Sequence, residues 1–190
     1  MGEKKGVGVI MREKGGRSME EIKLTREMKD KLVHNKGDIL TVKIKEDMTA
    51  RWVTIVYMEV ESQRNEEGNR KLYKAVANLK ERVECNKWVI VVDLNGNMGL
   101  MEETVNQNGQ LTLDFAADME MRIKNWELEN PVTWRDRAVS LQLIVMVNEQ
   151  IEQDCRIWKN EGIDVSDHLI SITCGKEVWK EKWNLRKQTG

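Results

Sequence analysis

Apolar and polar residues alternate in two neighbouring segments, and this pattern predicts a pair of strands. Residues 39–44 (ILTVKI) and 52–57 (WVTIVY) repeat at period two and are separated by a polar stretch. A period of two gathers the apolar side chains on one face of a strand. We therefore expect two adjacent antiparallel strands, each with one wetter face.

Further along the chain, the spacing of the apolar residues changes from two to three or four, and then the apolar residues become consecutive. Between residues 65 and 83, four aliphatic residues recur along the chain: Leu72, Val76, Leu79 and Val83. Their spacing of three or four residues, with charges between them, predicts an amphipathic helix packed on a sheet. Residues 88–92 (WVIVV) are then continuously apolar, which is typical of a strand buried on both faces.

Weaker patterns complete the prediction of the fold. We expect strands at 6–11, 121–126, 140–147 and 169–174, a helix capped by Asn108 and extending to Met119, and a short helix at 148–158. Strands and helices that do not alternate strictly predict an α/β or α+β fold, a mixed β-sheet sandwich flanked by helices. The domain is expected to span residues 1–175, followed by a helical or disordered tail at 176–190.

Composition narrows the class of protein. The chain has 190 residues, 40% of them hydrophobic and 33% charged, with a formal net charge of −1. This is typical of one soluble globular domain, and a nucleic-acid partner would need a local basic groove. There is no apolar run long enough for a membrane span, and two histidines with three separated cysteines argue against zinc. We expect an intracellular protein, nuclear or cytoplasmic.

Candidate chemistry follows directly after the buried strand. Asp93 and Asn95 are two residues apart, so both point to one side if the backbone stays extended. The carboxyl ends of strands are where α/β proteins place their binding and catalytic groups. The alternative is a simple polar turn, because the Asn95-Gly96 pair is a strong turn signal.

Several fragments occur in an order that resembles a known family. They are VTIVYMEV, VIVVDLNGNMG, NGQLTLDFA, VTW and GIDVSDHLIS. In this order they resemble the endonuclease/exonuclease/phosphatase superfamily, most closely the endonuclease domains of LINE-type retrotransposons and the craniofacial development protein 2-like proteins. The resemblance extends from about residue 6 to residue 174. It implies Mg²⁺-dependent hydrolysis of a phosphodiester, with DNA or another phosphodiester as the partner.

The resemblance also implies roles for individual residues. Asp93 matches the aspartate that orients or deprotonates the attacking water, and Asn95 matches the amide that steadies the phosphoryl group. His168 matches the histidine that donates to the scissile phosphate, and Asp167 matches the neighbouring acid that supports the metal ion. Tyr57 matches a tyrosine that contacts the phosphate. Donors and a cation aimed at the phosphate oxygens suit this chemistry, since charge concentrates there in the transition state.

A further set is implied to bind substrate. Thr133 and Trp134 match a Thr-Trp pair beside the substrate cleft, and Asn125 belongs to the same substrate-binding set. Each candidate also has a purely structural alternative: turn formation at the end of the strand, a loop cap before the last strand, or packing of an aromatic ring.

The sequence departs from the family pattern in ways that predict impaired catalysis. The family carries an asparagine and a metal-binding glutamate on its first strands, and this chain is expected to lack those strands. Leu143 stands where the family has the aspartate that pairs with the catalytic histidine. We expect a truncated, degenerate member with weak or absent Mg²⁺ binding and little or no activity, because a catalytic set fails when one member is lost. The alternative is a non-catalytic binding or interaction module on the same fold.

Overall fold

The computed structural model describes most of the chain in eight ranges. These are residues 17–32, 37–46, 49–82, 87–99, 104–127, 143–153, 155–159 and 170–174. The strand expected at 6–11 and the expected tail at 176–190 lie outside the described residues.

Within these ranges, a mixed sheet of six strands runs in the order β1-β2-β3-β4-β6-β5. The strands are β1 (Arg17–Glu21), β2 (Asp38–Glu46), β3 (Thr49–Tyr57), β4 (Trp88–Asp93), β5 (Arg122–Ile123) and β6 (Leu143–Val147). Strands β2 and β3 form an antiparallel pair, as the alternating pattern predicts. Strand β3 is parallel to β4, and β4 is antiparallel to β6. The expected mixed sheet is confirmed.

The described residues also form four α-helices and one 3₁₀ helix. They are α1 (Arg26–Leu32), α2 (Glu66–Arg82), α3 (Gln107–Asp118), α4 (Glu149–Glu152) and the 3₁₀ helix Lys124–Glu127. The amphipathic helix predicted between residues 65 and 83 is α2, which buries Leu72, Val76 and Leu79. Neither α1 nor the edge strand β1 was expected from the sequence. No helix in the described ranges has the length and apolar character needed to cross a bilayer.

Strand β4 lies at the centre of the core and is buried on both faces, as its continuous apolar run predicts. Ile90 and Val92 belong to the larger core cluster, which includes the buried side chains of α2 and α3. Val89 and Val91 belong to a second cluster on the opposite face, with Ile151 of α4. Burial of each such side chain stabilises the fold by about 1.5–3 kcal/mol relative to exposure. This burial holds the carboxyl end of β4 in one position.

The strand expected at 121–126 is mostly wrong. Strand β5 has two residues, and the chain then turns into the 3₁₀ helix. Asn125 in that helix accepts a hydrogen bond from the backbone N–H of Val145 at 2.7 Å and donates one to the carbonyl oxygen of Leu143 at 2.9 Å. A side chain therefore pairs with the backbone of β6 where the alternating pattern predicts a longer strand.

The helix expected at 148–158 is also wrong beyond its first turn. Helix α4 ends at Glu152, and the chain continues as strand β7 (Cys155–Lys159). Strand β7 pairs antiparallel with β8 (Ile170–Cys174). In the described part of the chain these two strands form a separate small sheet, so the strand expected at 169–174 is present but does not pair with the main sheet.

Candidate active site

Tyr57, Asp93 and Leu143 lie in one row across three adjacent strands. Tyr57 ends β3 and is in register with Asp93 at the end of β4, and Asp93 is in register with Leu143 at the start of β6. Residues in register on neighbouring strands project from the same face. That face is the one that carries Val89 and Val91, and Leu143 packs against this second cluster. The sheet thus brings two predicted site residues beside the leucine that replaces the expected aspartate.

Asp93 lies at the boundary between the core and the end of the sheet. Its residue is half-buried, and its Oδ1 atom is buried. The backbone carbonyl of Asp93 accepts a hydrogen bond from the N–H of Met58 at 2.9 Å, which continues the pairing of β3 with β4 by one residue. The register partner on the other side, Leu143, offers an aliphatic side chain and no polar atom.

Asn95 does not continue the extended backbone of β4. Its φ is 44°, in the left-handed region that asparagine tolerates better than most residues. Its Nδ2 donates to the carbonyl oxygen of Met58 at 2.7 Å. The extended backbone on which a shared side for Asp93 and Asn95 depended therefore does not persist to Asn95. The Asn95 amide instead ties the residues after β4 to those after β3.

Asn125 lies beside this row of residues because its side chain bonds to the backbone of β6. It is fully buried, and its amide oxygen and nitrogen both bond to that strand. These two hydrogen bonds account for the burial of its amide, and we call the pair the clamp on the β6 backbone. Its expected contact with substrate stays a prediction.

The first turn of α3 packs tightly against the residues that follow β4. Asn106, not Asn108, caps this helix: its Oδ1 accepts from the N–H of Gly109 at 2.9 Å. The same oxygen accepts from the N–H of Asn97 at 3.0 Å, and Asn106 N–H donates to the carbonyl of Asn97 at 3.1 Å. A Cβ on Gly109 would lie 1.9 Å from the carbonyl oxygen of Asn97. The helix can approach this closely because position 109 is glycine.

Two buried asparagines, Asn69 of α2 and Asn108 of α3, also bond to the residues that follow β3 and β4. Neither was expected at this site from the sequence. Asn69 Oδ1 accepts from the backbone N–H of Glu59, and its Nδ2 donates to the Glu59 carbonyl, both at 3.0 Å. Its Nδ2 also donates to Asn108 Oδ1 at 2.9 Å. Asn108 Nδ2 in turn donates to the carbonyls of Glu59 at 2.9 Å and Leu94 at 2.8 Å.

The signal for Asn69 was present in the sequence. Asn69 lies three and seven residues before Leu72 and Val76, and so falls on the apolar face of α2. A polar side chain on a buried helix face must find hydrogen-bond partners. That position identifies Asn69 as a residue with a partner in the core, although the partner itself is set by tertiary packing.

Tyr73 connects this network to the core between α2 and α3. Its hydroxyl lies 2.6 Å from Thr112 Oγ1, and Thr112 donates to the backbone carbonyl of Asn108 at 2.8 Å. The Tyr73 ring stacks on Phe115 with ring centroids 4.3 Å apart. Burial raises the pKa of Tyr73 well above its usual range, because the phenolate would lose its hydration, while the hydrogen bond to Thr112 acts in the opposite direction.

Four predicted site residues lie outside the described residues. They are Thr133, Trp134, Asp167 and His168. Among the described residues, no group of three or more His, Cys, Asp and Glu side chains could hold a metal ion. Mg²⁺ prefers oxygen ligands, and in the row described above Asp93 supplies the only carboxylate. Asp167, which the resemblance implies as the residue that supports the metal ion, lies outside the described residues, and we assign no catalytic step to the ion.

No model of a protein family matches this sequence, and no curated protein matches it. Solved structures do match. The endonuclease domain of TRAS1, a telomere-specific non-LTR retrotransposon, is 10% identical with a TM-score of 0.64, and the match covers 86% of this chain and 71% of that one. An endonuclease/exonuclease/phosphatase protein from Beutenbergia cavernae is 15% identical with a TM-score of 0.52, covering 85% of this chain and 45% of that one.

A third structure, an endonuclease/exonuclease/phosphatase protein from Bacteroides vulgatus, is 15% identical with a TM-score of 0.50. The match covers 71% of this chain and 53% of that one. Two of the three matches thus span about half the length of the solved protein. At identities this low, the TM-scores show a shared fold alone, and activity must be argued from the site. The chain has the fold of the endonuclease/exonuclease/phosphatase proteins, as the order of its sequence fragments predicts.

Proposed function

We propose that this chain is a degenerate phosphodiesterase domain of retrotransposon origin, with DNA or another phosphodiester as its partner and with hydrolysis lost or strongly impaired. The fold that it shares with a retrotransposon endonuclease domain supports the origin and the class of partner. The position of Leu143 supports the loss of hydrolysis.

Leu143 is the observation that carries the proposal. It is in register with Asp93, on the strand where the resemblance places an aspartate that pairs with His168. A leucine cannot accept a hydrogen bond, so the imidazole would lose both its orienting carboxylate and the support for its charged form. Loss of one member of a catalytic set commonly lowers the rate by several powers of ten.

The polarity of the three side chains in the row also supports the loss of hydrolysis. Tyr57 and Asp93 are the polar members, and the third position is part of an aliphatic cluster with Val89, Val91 and other core residues. An apolar side chain at this place supplies neither a donor to the phosphate nor a ligand to a cation. The row can still border a phosphodiester, but it lacks the carboxylate that the resemblance places beside His168.

The test is nicking of supercoiled plasmid DNA in Mg²⁺ by the full chain. We expect no nicking above the buffer background. Asp93→Ala and His168→Ala serve as matched controls, because a contaminating nuclease would be unaffected by either substitution. Nicking by the unmodified chain that disappears in both variants would refute the proposed loss of hydrolysis.

A further inference from the structure

Asn69 and Asn108 use their amide oxygens and both of their donor hydrogens in hydrogen bonds within the protein. Their exposed fractions are 0% and 1%. Each amide has two donor hydrogens and one acceptor oxygen. The acceptors take the N–H of Glu59 and the Nδ2 of Asn69, and the donors reach Asn108 and the backbone carbonyls of Glu59 and Leu94. Neither side chain is placed to bind a ligand, so both act within the fold.

The two amides hold the segments that leave the carboxyl ends of β3 and β4. Asn69 bonds to both the N–H and the carbonyl of Glu59, two residues after β3 ends. Asn108 bonds to the carbonyl of Leu94, directly after β4, and lies 3.4 Å from that of Asn95. Asn95 closes the arrangement by donating to Met58. The two segments are therefore joined to each other and to both helices.

We propose that Asn69 and Asn108 are positioning residues that fix segments 58–61 and 94–97 relative to each other, and so set the geometry around Tyr57 and Asp93. Removal of the Asn69 amide would take the side-chain acceptor from the N–H of Glu59, and removal of the Asn108 amide would take the side-chain donor from the carbonyl of Leu94. Either loss favours local opening of these segments. The functional part of the inference rests on the proposed phosphodiester partner, whereas the positioning itself does not.

The matched control is at the other end of β4. Asn148 is also buried, and its Oδ1 accepts a hydrogen bond from the backbone N–H of Trp88 at 2.8 Å. Asn148→Leu therefore removes a comparable buried bond from the first residue of the same strand. Both it and Asn108→Leu replace a buried amide with an apolar side chain of similar size.

The experiment is hydrogen–deuterium exchange of the full chain and the two variants. We expect Asn108→Leu to speed exchange in segments 58–61 and 94–97 by about ten- to a hundredfold, with the start of β4 changed much less. Asn148→Leu should show the reverse pattern, with the fastest gain at Trp88. Equal effects of both variants on all segments would overturn the proposal, because they would indicate only a general loss of stability.

A binding measurement separates this inference from the proposed function. The probe is a fluorescein-labelled DNA duplex, titrated in EDTA and followed by anisotropy. If the unmodified chain binds, Asn108→Leu should raise the Kd by about tenfold while Asn148→Leu changes it less than about twofold. An equal loss of affinity in the two variants counts against positioning. If the unmodified chain does not bind, the DNA partner is refuted, and the exchange pattern still decides the positioning.

A measurement on the unmodified chain covers the case in which Asn108→Leu does not fold. The backbone N–H of Glu59 donates to the side chain of Asn69. We expect this N–H and the Nδ2 hydrogens of Asn69 and Asn108 to exchange slowly when observed by NMR. Exchange of these hydrogens at the rate of unprotected amides would contradict the network and the proposal with it.

Discussion

Gly109→Ala should destabilise the protein, although alanine is the better helix former. Gly109 lies in the first turn of α3, where the helix meets the residues after β4. A Cβ built there lies 1.9 Å from the carbonyl oxygen and 2.8 Å from the carbonyl carbon of Asn97. Each distance is shorter than a normal van der Waals separation by about 1 Å or more. The backbone of Asn97 or the helix must move.

The magnitude follows from the contacts that such a shift disturbs. Overpacking of this kind costs about 1–3 kcal/mol. The shift also strains the two bonds between Asn97 and Asn106, of 3.0 and 3.1 Å, each of which contributes about 1 kcal/mol. Replacing glycine in a helix by alanine returns about 1 kcal/mol through propensity. The net expectation is a loss of about 2 kcal/mol or more, with a Tm lower by about 4–8 °C.

Urea denaturation followed by circular dichroism measures this change. Ala117→Gly is the matched control, because Ala117 lies in the same helix and is exposed. That variant should lose about 1 kcal/mol through propensity alone. If Gly109→Ala is instead more stable than the unmodified chain while Ala117→Gly behaves as expected, the close approach of α3 to Asn97 is refuted.

Three further substitutions test the core and the clamp. Burial raises the pKa of Tyr73, so the contribution of the neutral phenol to the free energy of unfolding is complete below a pH of about 10. As the pH rises above that value, this contribution decreases by up to about 1.4 kcal/mol per pH unit. Tyr73→Phe should therefore reduce the alkaline loss of stability in urea titrations between pH 9 and pH 11, about one unit either side of the ordinary tyrosine pKa. Asn125→Ala removes the side-chain partner of two backbone groups of β6 and should cost about 2–4 kcal/mol in urea denaturation, whereas a cost below about 1 kcal/mol would contradict the clamp. Trp88→Phe removes the buried bond from the indole N–H to Thr54 Oγ1 and should lower the Tm, and an unchanged Tm would argue against that bond.

The elements predicted correctly are those whose pattern is local. The alternating segments became β2 and β3, the helical spacing became α2, and the continuous apolar run became β4. In each case the burial of one face, or of both, is encoded within the element itself. Strand β1 could not be predicted from a local pattern. Arg17 is half-buried, and the other side chains of β1 are exposed and show no apolar period.

The errors fall where a distant segment decides the local structure. Cys155–Lys159 is a strand because it pairs with Ile170–Cys174, and no pattern within the first segment announces that partner. The short 3₁₀ helix replaces a strand because the Asn125 amide bonds to β6. The cap of α3 is Asn106 because its side chain also bonds to Asn97, in a loop that reaches the helix only after folding.

The candidate site divides in the same way. Its residue types and their order along the chain could be taken from the sequence, including a leucine at position 143 where the resemblance implies an acid. That Leu143 stands beside Asp93, and that Asn95 turns back to Met58, depends on strand register and on a left-handed backbone, which sequence pattern does not specify. The physical reason is that hydrophobic periodicity reports burial along one segment, whereas the distances among side chains from different segments are set only when the sheet and helices pack together.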